Sequence, residues 1–201
     1  MGRIYYLMGK SATGKDHIYE QLMKDPRLGL RKIVLYTTRP MRSGERDGVQ
    51  YHFTDERFLE ACRKNGTLIE SRVYHTIYGP WYYFTVDDGE TNPSLGNLLA
   101  IGTLESYKKM RDHYGEADVI PVYIEVDDGL RLQRALQRER KQTEPKYEEM
   151  CRRFLADQED FSEEKLQDAH ITKRYENNAA IEDCIEEIAQ MILKTQTGPE
   201  E

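Results

Sequence analysis

Little in this chain could serve as a disulfide framework, a metal cluster or a membrane anchor. Its 201 residues include three cysteines, Cys62, Cys151 and Cys184, which are odd in number, far apart and without metal-ligand spacing. Neither a cross-linked scaffold nor a zinc site is expected, and a reducing cytoplasm suits the composition. Histidine is equally sparse in meaning: His52, His75, His113 and His170 show no paired spacing with cysteines or carboxylates, and His17 reads as an incidental helix residue. No apolar stretch approaches the roughly 18 residues of a membrane span. Met1 to Met8 is too short for a secretory leader and runs directly into a glycine loop. Positive charge is in deficit, with 29 basic against 36 acidic residues and a formal charge of −7. That balance argues against a general nucleic-acid or membrane-surface binder, while a small anion held by local basic groups stays compatible. Internal repeats and long low-complexity tracts are missing too, and one well-buried domain is the default at this length.

What is present begins at residue 4. The apolar run Ile4 to Met8 leads into Gly9, Lys10, Ser11, Ala12, Thr13, Gly14, Lys15 and Asp16, and a helical pattern follows in Ile18, Tyr19, Leu22 and Met23. A strand entering a glycine-bracketed turn that opens a helix is the setting of a phosphate-binding loop. The glycines let successive backbone N–H groups point inward, and a polyphosphate sits on the helix N-terminus beside the lysine. The pattern GxxxxGK[ST] is met everywhere except at its last position, where Asp16 replaces the hydroxyl that normally meets Mg²⁺. A solvated glycine turn, the plainer reading, leaves the lysine at the turn-to-helix junction unexplained.

Strand-like runs recur at 4–8, 32–36, 98–101 and 119–126, and helical patterns follow the first, third and fourth. This alternation predicts an α/β fold with a central parallel sheet between helical layers. Residues 103–114 read as a helix closed by Gly115, and 146–160 as another. A last helix over about 178–194 carries Ile181, Ile185, Ile188 and Ile192 as a core-packing stripe. Residues 37–86 break the rhythm with short alternating runs around a helix near 55–64, which predicts an inserted, mixed or antiparallel flap. Residues 87–96 read as a loop, and 196–201 are expected to form a disordered tail.

The inserted segment contains Thr37-Thr38-Arg39-Pro40-Met41-Arg42-Ser43-Gly44-Glu45, then Asp47-Gly48-Val49-Gln50-Tyr51-His52-Phe53, Leu68-Ile69-Glu70 and Tyr78-Gly79. With the loop at 9–16, these patterns resemble the guanylate kinase family, in order, from residue 4 to about 155. The resemblance implies a single domain over 1–195: a P-loop core (1–36, 87–130 and 151–195), a monophosphate-binding flap (37–86) and an arginine-bearing lid (131–150). It also implies Mg²⁺-dependent transfer of a phosphoryl group from ATP to GMP in a cytoplasmic enzyme, monomeric or homodimeric, with no nucleic-acid or membrane partner. ATP would lie on Gly9 to Asp16. Arg39, Arg42 and Tyr51 match positions that hold the acceptor phosphate, and two guanidinium forks with a phenol suit a dianion. Tyr78 matches a further phosphate contact. Glu70 matches the residue that accepts hydrogen bonds from the guanine edge, a role for which a carboxylate is chemically suited. Within the basic stretch Arg131, Arg134, Arg138, Arg140, Arg152 and Arg153, the first three share a helix face by spacing. The resemblance places those three on the lid, and implies that Arg134, Arg138 and Arg153, with Lys15 and Arg39, stabilise charge on the transferred group.

The chain also departs from that pattern. The strand reading Leu98-Leu99-Ala100-Ile101-Gly102-Thr103 lacks the Asp-x-Asp that the family carries there, and two family serines fall on Leu35 and near Pro80. In the family one of those aspartates helps read the guanine base and their neighbourhood serves the metal site, while the serines are acceptor contacts. Asp16 is the expected substitute for Mg²⁺, directly or through water, with Glu105 as runner-up. Two further readings stay open: a kinase for another purine or deoxynucleoside monophosphate, and a non-catalytic protein-binding module, which would have no need of Lys15 beside an acidic metal ligand.

Overall fold

Two-residue periodicity in strand β1 (Ile4–Met8) sets the layering of the molecule. All five residues are buried. Ile4, Tyr6 and Met8 join one hydrophobic core, whereas Tyr5 and Leu7 join another. A strand buried on both faces belongs at the centre of a helix-covered sheet. The computed structural model, which describes residues 2–76 and 78–197, places it there. β1 lies between two parallel neighbours, Leu98–Gly102 and Val119–Glu125, with Ile4 opposite both Leu98 and Val119. Arg31–Lys32 and Arg174–Glu176 extend the sheet in parallel at its two edges.

In chain order the strands are β2 (Arg31–Lys32), β3 (Tyr36–Thr37), β4 (His52–Phe53), β5 (Leu68–Thr76), β6 (Gly79–Val86), β7 (Leu98–Gly102), β8 (Val119–Glu125) and β9 (Arg174–Glu176). On one face of the core sheet, helices α1 (Lys15–Lys24) and α7 (Ile181–Thr197) contribute Ile18, Leu22, Cys184, Ile188 and Ile192. On the other, α3 (Leu104–Tyr114) and α6 (Glu163–Asp168) contribute Leu104, Tyr107, Met110 and Leu166. The expected three-layer core is therefore present. Local chemistry marks α3: the Thr103 hydroxyl accepts the Ser106 N–H at its start, and Gly115 closes it.

The flap is a separate sheet in the order β4-β3-β6-β5, with β3 and β4 parallel and the other pairs antiparallel. Helix α2 (Glu56–Asn65) covers one face, and Leu59 and Cys62 pack there against Phe84 and Val86. The run at 32–36, expected as one strand, divides between the two sheets. Lys32 ends β2 in the core and Tyr36 opens β3 in the flap, so the chain crosses between them within three residues.

Other boundaries also shift. Helices α4 (Asp128–Arg140) and α5 (Tyr147–Asp160) form a helical hairpin longer at both ends than the expected lid over 131–150. Helix α7 starts at Ile181 and continues to Thr197, so residues 196 and 197 are helical, while the rest of the expected tail lies outside the described residues. β9 and α6 are three and six residues long, too short for periodicity to signal.

Ile188 is fully buried on the α7 side of the sheet. Ile188→Ala should lower unfolding stability by about 2–5 kcal/mol. Chemical denaturation measures this, and a loss below about 1 kcal/mol would mean that the site collapses around the missing side chain.

Candidate functional site: a phosphate loop facing a flap

The loop between β1 and α1 is built to leave donors free. Ala12 and Gly14 both take left-handed conformations, with φ of 63° and 85°. Alternation of this kind turns successive N–H groups toward one side. The N–H groups of Ala12, Thr13 and Gly14 meet no protein acceptor among the described residues. The loop's other groups are held. Buried Thr13 donates its hydroxyl to the Lys10 carbonyl at 2.9 Å, and its own carbonyl accepts Asn177 Nδ2 at 2.9 Å. A Cβ on Gly14 would lie 2.9 Å from that same amide nitrogen, and one on Gly9 would lie 2.7 Å from the Ile124 carbonyl oxygen. Gly14 is thus needed for close approach as well as for turning, and Gly9 for close approach.

The α4–α5 hairpin docks on this loop through Arg131, which the helical spacing had put on one face with Arg134 and Arg138. Arg131 is 1% exposed. Its Nε donates to the Ser11 carbonyl at 3.1 Å, Nη1 to Asp128 at 2.5 Å and Nη2 to Asp157 at 3.2 Å, and its guanidinium lies 4.8 Å from the Phe154 ring centre. Asp157 in turn accepts the Ser11 N–H at 2.7 Å, and Lys10 donates to Gln158. The docked hairpin brings Arg153 Nη2 within 3.3 Å of Ser11 Oγ. Arg138 lines a cleft of about 180 Å³ between loop and hairpin together with Ser11 and Arg153. Lys15 reports the convergence: burial lowers its pKa, the Asp16 and Asp157 carboxylates oppose that, and the Arg153 and Arg138 guanidiniums reinforce it. Arg134 faces elsewhere, donating to the Asn177 carbonyl at 3.0 Å. Arg152 pairs with Glu149 at 2.6 Å, and Arg140 is exposed. Asp16 stands exposed on the first turn of α1, whereas Glu105 pairs with Lys109 at 2.9 Å.

A second cleft, of about 440 Å³, opens between the core sheet and the flap, with Tyr6, Leu35, Tyr51, Arg72, Thr85 and Ala100 among its walls. Glu70 is buried beside it at 4% exposure. A register shift between Leu68 and Glu70 interrupts β5 and re-aims its side chains. The Thr85 hydroxyl donates to Glu70 at 3.0 Å and the Ser106 hydroxyl at 3.3 Å. Arg39 is 4% exposed and lies over the Tyr51 and Phe53 rings, at 5.2 and 5.3 Å from their centres. Its two terminal nitrogens straddle Glu45, and Nη1 also donates to the Pro40 carbonyl, so at most two of its five N–H donors remain for a ligand. Glu45 also accepts the Arg42 N–H at 2.7 Å, leaving the Arg42 side chain exposed. Tyr78, by contrast, is 80% exposed at the β5–β6 turn, stacked on Trp81, and stands apart from the walls of this cleft.

The two missing carboxylates have a steric counterpart. A Cβ on Gly102 would lie 2.2 Å from the Tyr6 hydroxyl, so the phenol fills the space that any side chain at 102 would need. Burial and the nearby Glu70 carboxylate push the Tyr6 pKa up and keep the phenol neutral. Sequence reasoning gave no role to Tyr6, Glu45, Arg72, Arg131 or Asp157. Glu45 stood inside a quoted pattern, and the charges of Arg72, Arg131 and Asp157 were visible, but Arg131 meets a partner 120 residues away.

A parallel-sheet core with a phosphate loop, an inserted flap and a docked arginine hairpin define a P-loop protein of the nucleotide-kinase class. The family model for guanylate kinase matches residues 1–195, and the chain belongs to that family. Guanylate kinase of Vibrio vulnificus (strain YJ016) is 33% identical over 93 residues, 44% of this chain and 45% of that protein. Guanylate kinase of Anaplasma phagocytophilum (strain HZ) is 31% identical over 131 residues, 62% of this chain and 60% of that protein. The chain thus matches about half the length of these curated relatives. The crystal structure of guanylate kinase from Anaplasma phagocytophilum superposes with a TM-score of 0.61 at 20% identity, covering 98% of this chain and 88% of that one, which is a likeness of fold. Among the described residues no helix is long and apolar enough to cross a membrane.

The Arg39–Glu45 pair holds the Glu45 carboxyl down to about 2, from an ordinary 4.5. A depressed folded-state pKa stabilises the fold above the unfolded value and loses that contribution as pH falls through the folded one. Glu45→Gln should therefore start less stable at neutral pH and show a flatter stability profile between pH 4.5 and 2 than the native chain. Urea midpoints across that window measure it, and parallel profiles would contradict the pairing.

Proposed function

We propose that this protein is a nucleoside monophosphate kinase that transfers the γ-phosphoryl group of ATP to GMP, giving ADP and GDP. The observation that carries the reading is the convergence of Arg138 and Arg153 on the phosphate loop beside Lys15, in a chain whose second cleft has a buried carboxylate, Glu70, beside it. Phosphoryl transfer asks mainly for positioning and for neutralisation of spreading negative charge. In this reading the free N–H groups of residues 12–14 and Lys15 hold the donor phosphates. Arg42, Tyr51 and the remaining donors of Arg39 align the acceptor phosphate. Arg138 and Arg153 neutralise charge on the group in transit, with Arg134 supporting the hairpin. No general base is needed, because a phosphate oxygen is already nucleophilic. Tyr78, on the exposed turn, would reach an acceptor only through closure of the flap. A cytoplasmic location fits the exposed free thiol of Cys151.

Mg²⁺ would supply charge neutralisation across the donor phosphates. No cluster of three or more metal-binding side chains exists among the described residues. The exposed carboxylate on the first turn of α1 suits this ion, which keeps several waters and takes one or two carboxylates with substrate phosphates. Asp16 would be the carboxylate. The absence of side-chain carboxylates at Ala100 and Gly102 favours a second reading in which the acceptor base differs from guanine.

ADP release from MgATP, measured with GMP, dGMP, AMP, CMP and UMP in turn, tests the proposal. Stimulation by GMP supports it, stimulation by another base alone moves the specificity, and silence across the panel turns the reading toward a protein-binding module. Lys15→Ala should lower kcat by about 10²–10³-fold. Asp16→Asn should raise the Mg²⁺ concentration for half-maximal rate by about tenfold or more, and an unchanged metal dependence would remove Asp16 from the metal site.

A further inference from the structure

Arg72 is a charged group of the acceptor cleft that the proposed chemistry has not used. It follows Glu70 by two residues on β5, so both side chains leave the same face of the flap sheet, opposite the face that packs on α2. Three quarters of its side chain is buried. It lines the 440 Å³ cleft and also the adjoining one beneath Tyr74, Trp81 and Tyr83. Its Nε is buried without a hydrogen bond; the nearest carboxylate oxygen, Glu70 Oε2, lies at 3.5 Å and makes an ion contact only. Neither Nη group donates to a protein acceptor among the described residues. A partly buried guanidinium with all five donors unused is costly unless a ligand takes them.

Glu70 beside it is half satisfied. Two hydroxyls, from Thr85 and Ser106, occupy part of its roughly four acceptor positions, leaving lone pairs for incoming N–H groups. The cleft therefore presents acceptors and a forked donor side by side. Guanine presents the complement: N1–H and N2–H₂ donors next to the O6 and N7 acceptors. Adenine puts an amino group where O6 would be, opposite the guanidinium.

Resting on the kinase reading, we propose that Arg72 is a specificity-determining residue that donates to O6 and N7 of the acceptor guanine while Glu70 accepts from N1–H and N2–H₂. Tyr6 explains why recognition takes this form. Its hydroxyl blocks any side chain at 102, so a second carboxylate is sterically closed out there and discrimination passes to the acceptor edge of the base. The bidentate geometry requires arginine, because a lysine would supply the charge without the fork.

The test is calorimetric binding of GMP, 7-deaza-GMP and AMP to the full chain without ATP, with the native protein, Arg72→Met and Arg72→Lys. The native protein should bind GMP more tightly than 7-deaza-GMP, which lacks the N7 acceptor, and should bind AMP most weakly. Arg72→Met should weaken GMP by about 5- to 150-fold, the range for one bidentate contact. It should leave AMP nearly unchanged and abolish the preference over 7-deaza-GMP. Arg72→Lys should fail to restore that preference while keeping the same unfolding midpoint as the native chain. Equal losses for GMP and AMP in Arg72→Met, both recovered in Arg72→Lys, would place the guanidinium on the phosphate and overturn the assignment. So would equal native affinity for GMP and 7-deaza-GMP, with the kinase reading intact. GMP bound with these preferences but never phosphorylated would do the reverse. A native chain that binds none of the three would remove both.

Discussion

The phosphate loop can offer its N–H groups to a ligand only because its other polar groups are already taken. Three unpaired donors in a row at Ala12, Thr13 and Gly14 would, in a free loop, collapse onto the nearest carbonyls. Bonds from three directions prevent this. The Thr13 hydroxyl closes on Lys10, Asn177 takes the Thr13 carbonyl, and Arg131 with Asp157 takes both backbone groups of Ser11. Loop shape and hairpin position are consequently one problem. The same Arg131 that fixes Ser11 also binds α4 and α5 together, and the hairpin so docked carries Arg138 and Arg153 to the loop. Removing one side of a buried, paired charge costs more than the pair contributes, because the partner is left uncompensated. Arg131 therefore has structural consequences out of proportion to its surface area.

In the flap, paired charge does a different job. Arg39 and Glu45 are six residues apart, and their bidentate contact folds the segment between them into a closed turn that also captures the Arg42 N–H. Tyr51 and Phe53 support the guanidinium from below. The turn thereby delivers Arg42, unpaired, toward solvent. Glu70 and Arg72 are related by strand alternation and not by a turn, and their 3.5 Å contact leaves both groups with unused hydrogen-bonding capacity. One pair is closed and shapes the chain; the other is open toward the cleft.

How much of this was legible depended on whether the signal was local. The loop at 9–16 and helices α1, α3 and α5 carry their determinants within a few residues: a glycine at a left-handed position, a threonine cap, a stripe at helical spacing. These were readable. The division of 32–36 between two sheets was not, since an apolar run says that a strand is buried but not against what. Arg131 illustrates the same limit. By spacing it shares a helix face with Arg134 and Arg138, and such a face is ordinarily solvated. Its burial comes from Asp157 and Ser11, 26 and 120 residues away. Resemblance named Arg39 and Tyr78 as phosphate contacts, but no pattern of residue types could show that Glu45 holds the first or that Trp81 stacks on the second at an exposed turn.

The lost Asp-x-Asp is the clearest case of an absence with a physical cause. At position 100 the alanine simply opens the cleft wall. At position 102 the glycine is compelled, because the Tyr6 hydroxyl stands 2.2 Å from where a Cβ would begin. β1 and β7 are paired in register with Tyr6 opposite Ala100, so a large residue on β1 and a side chain two positions along β7 compete for one volume. Restoring an aspartate at 102 alone would meet that clash before it could meet a base. The phenol also brings what a carboxylate cannot: a neutral group that both donates and accepts, kept so by burial and by Glu70. The exchange removes a negative charge from a cleft that retains Glu70, and it tilts the electrostatic balance toward Arg72. A cleft so arranged offers donors as well as acceptors to whatever enters it, a balance set by one tyrosine in the central strand of the core.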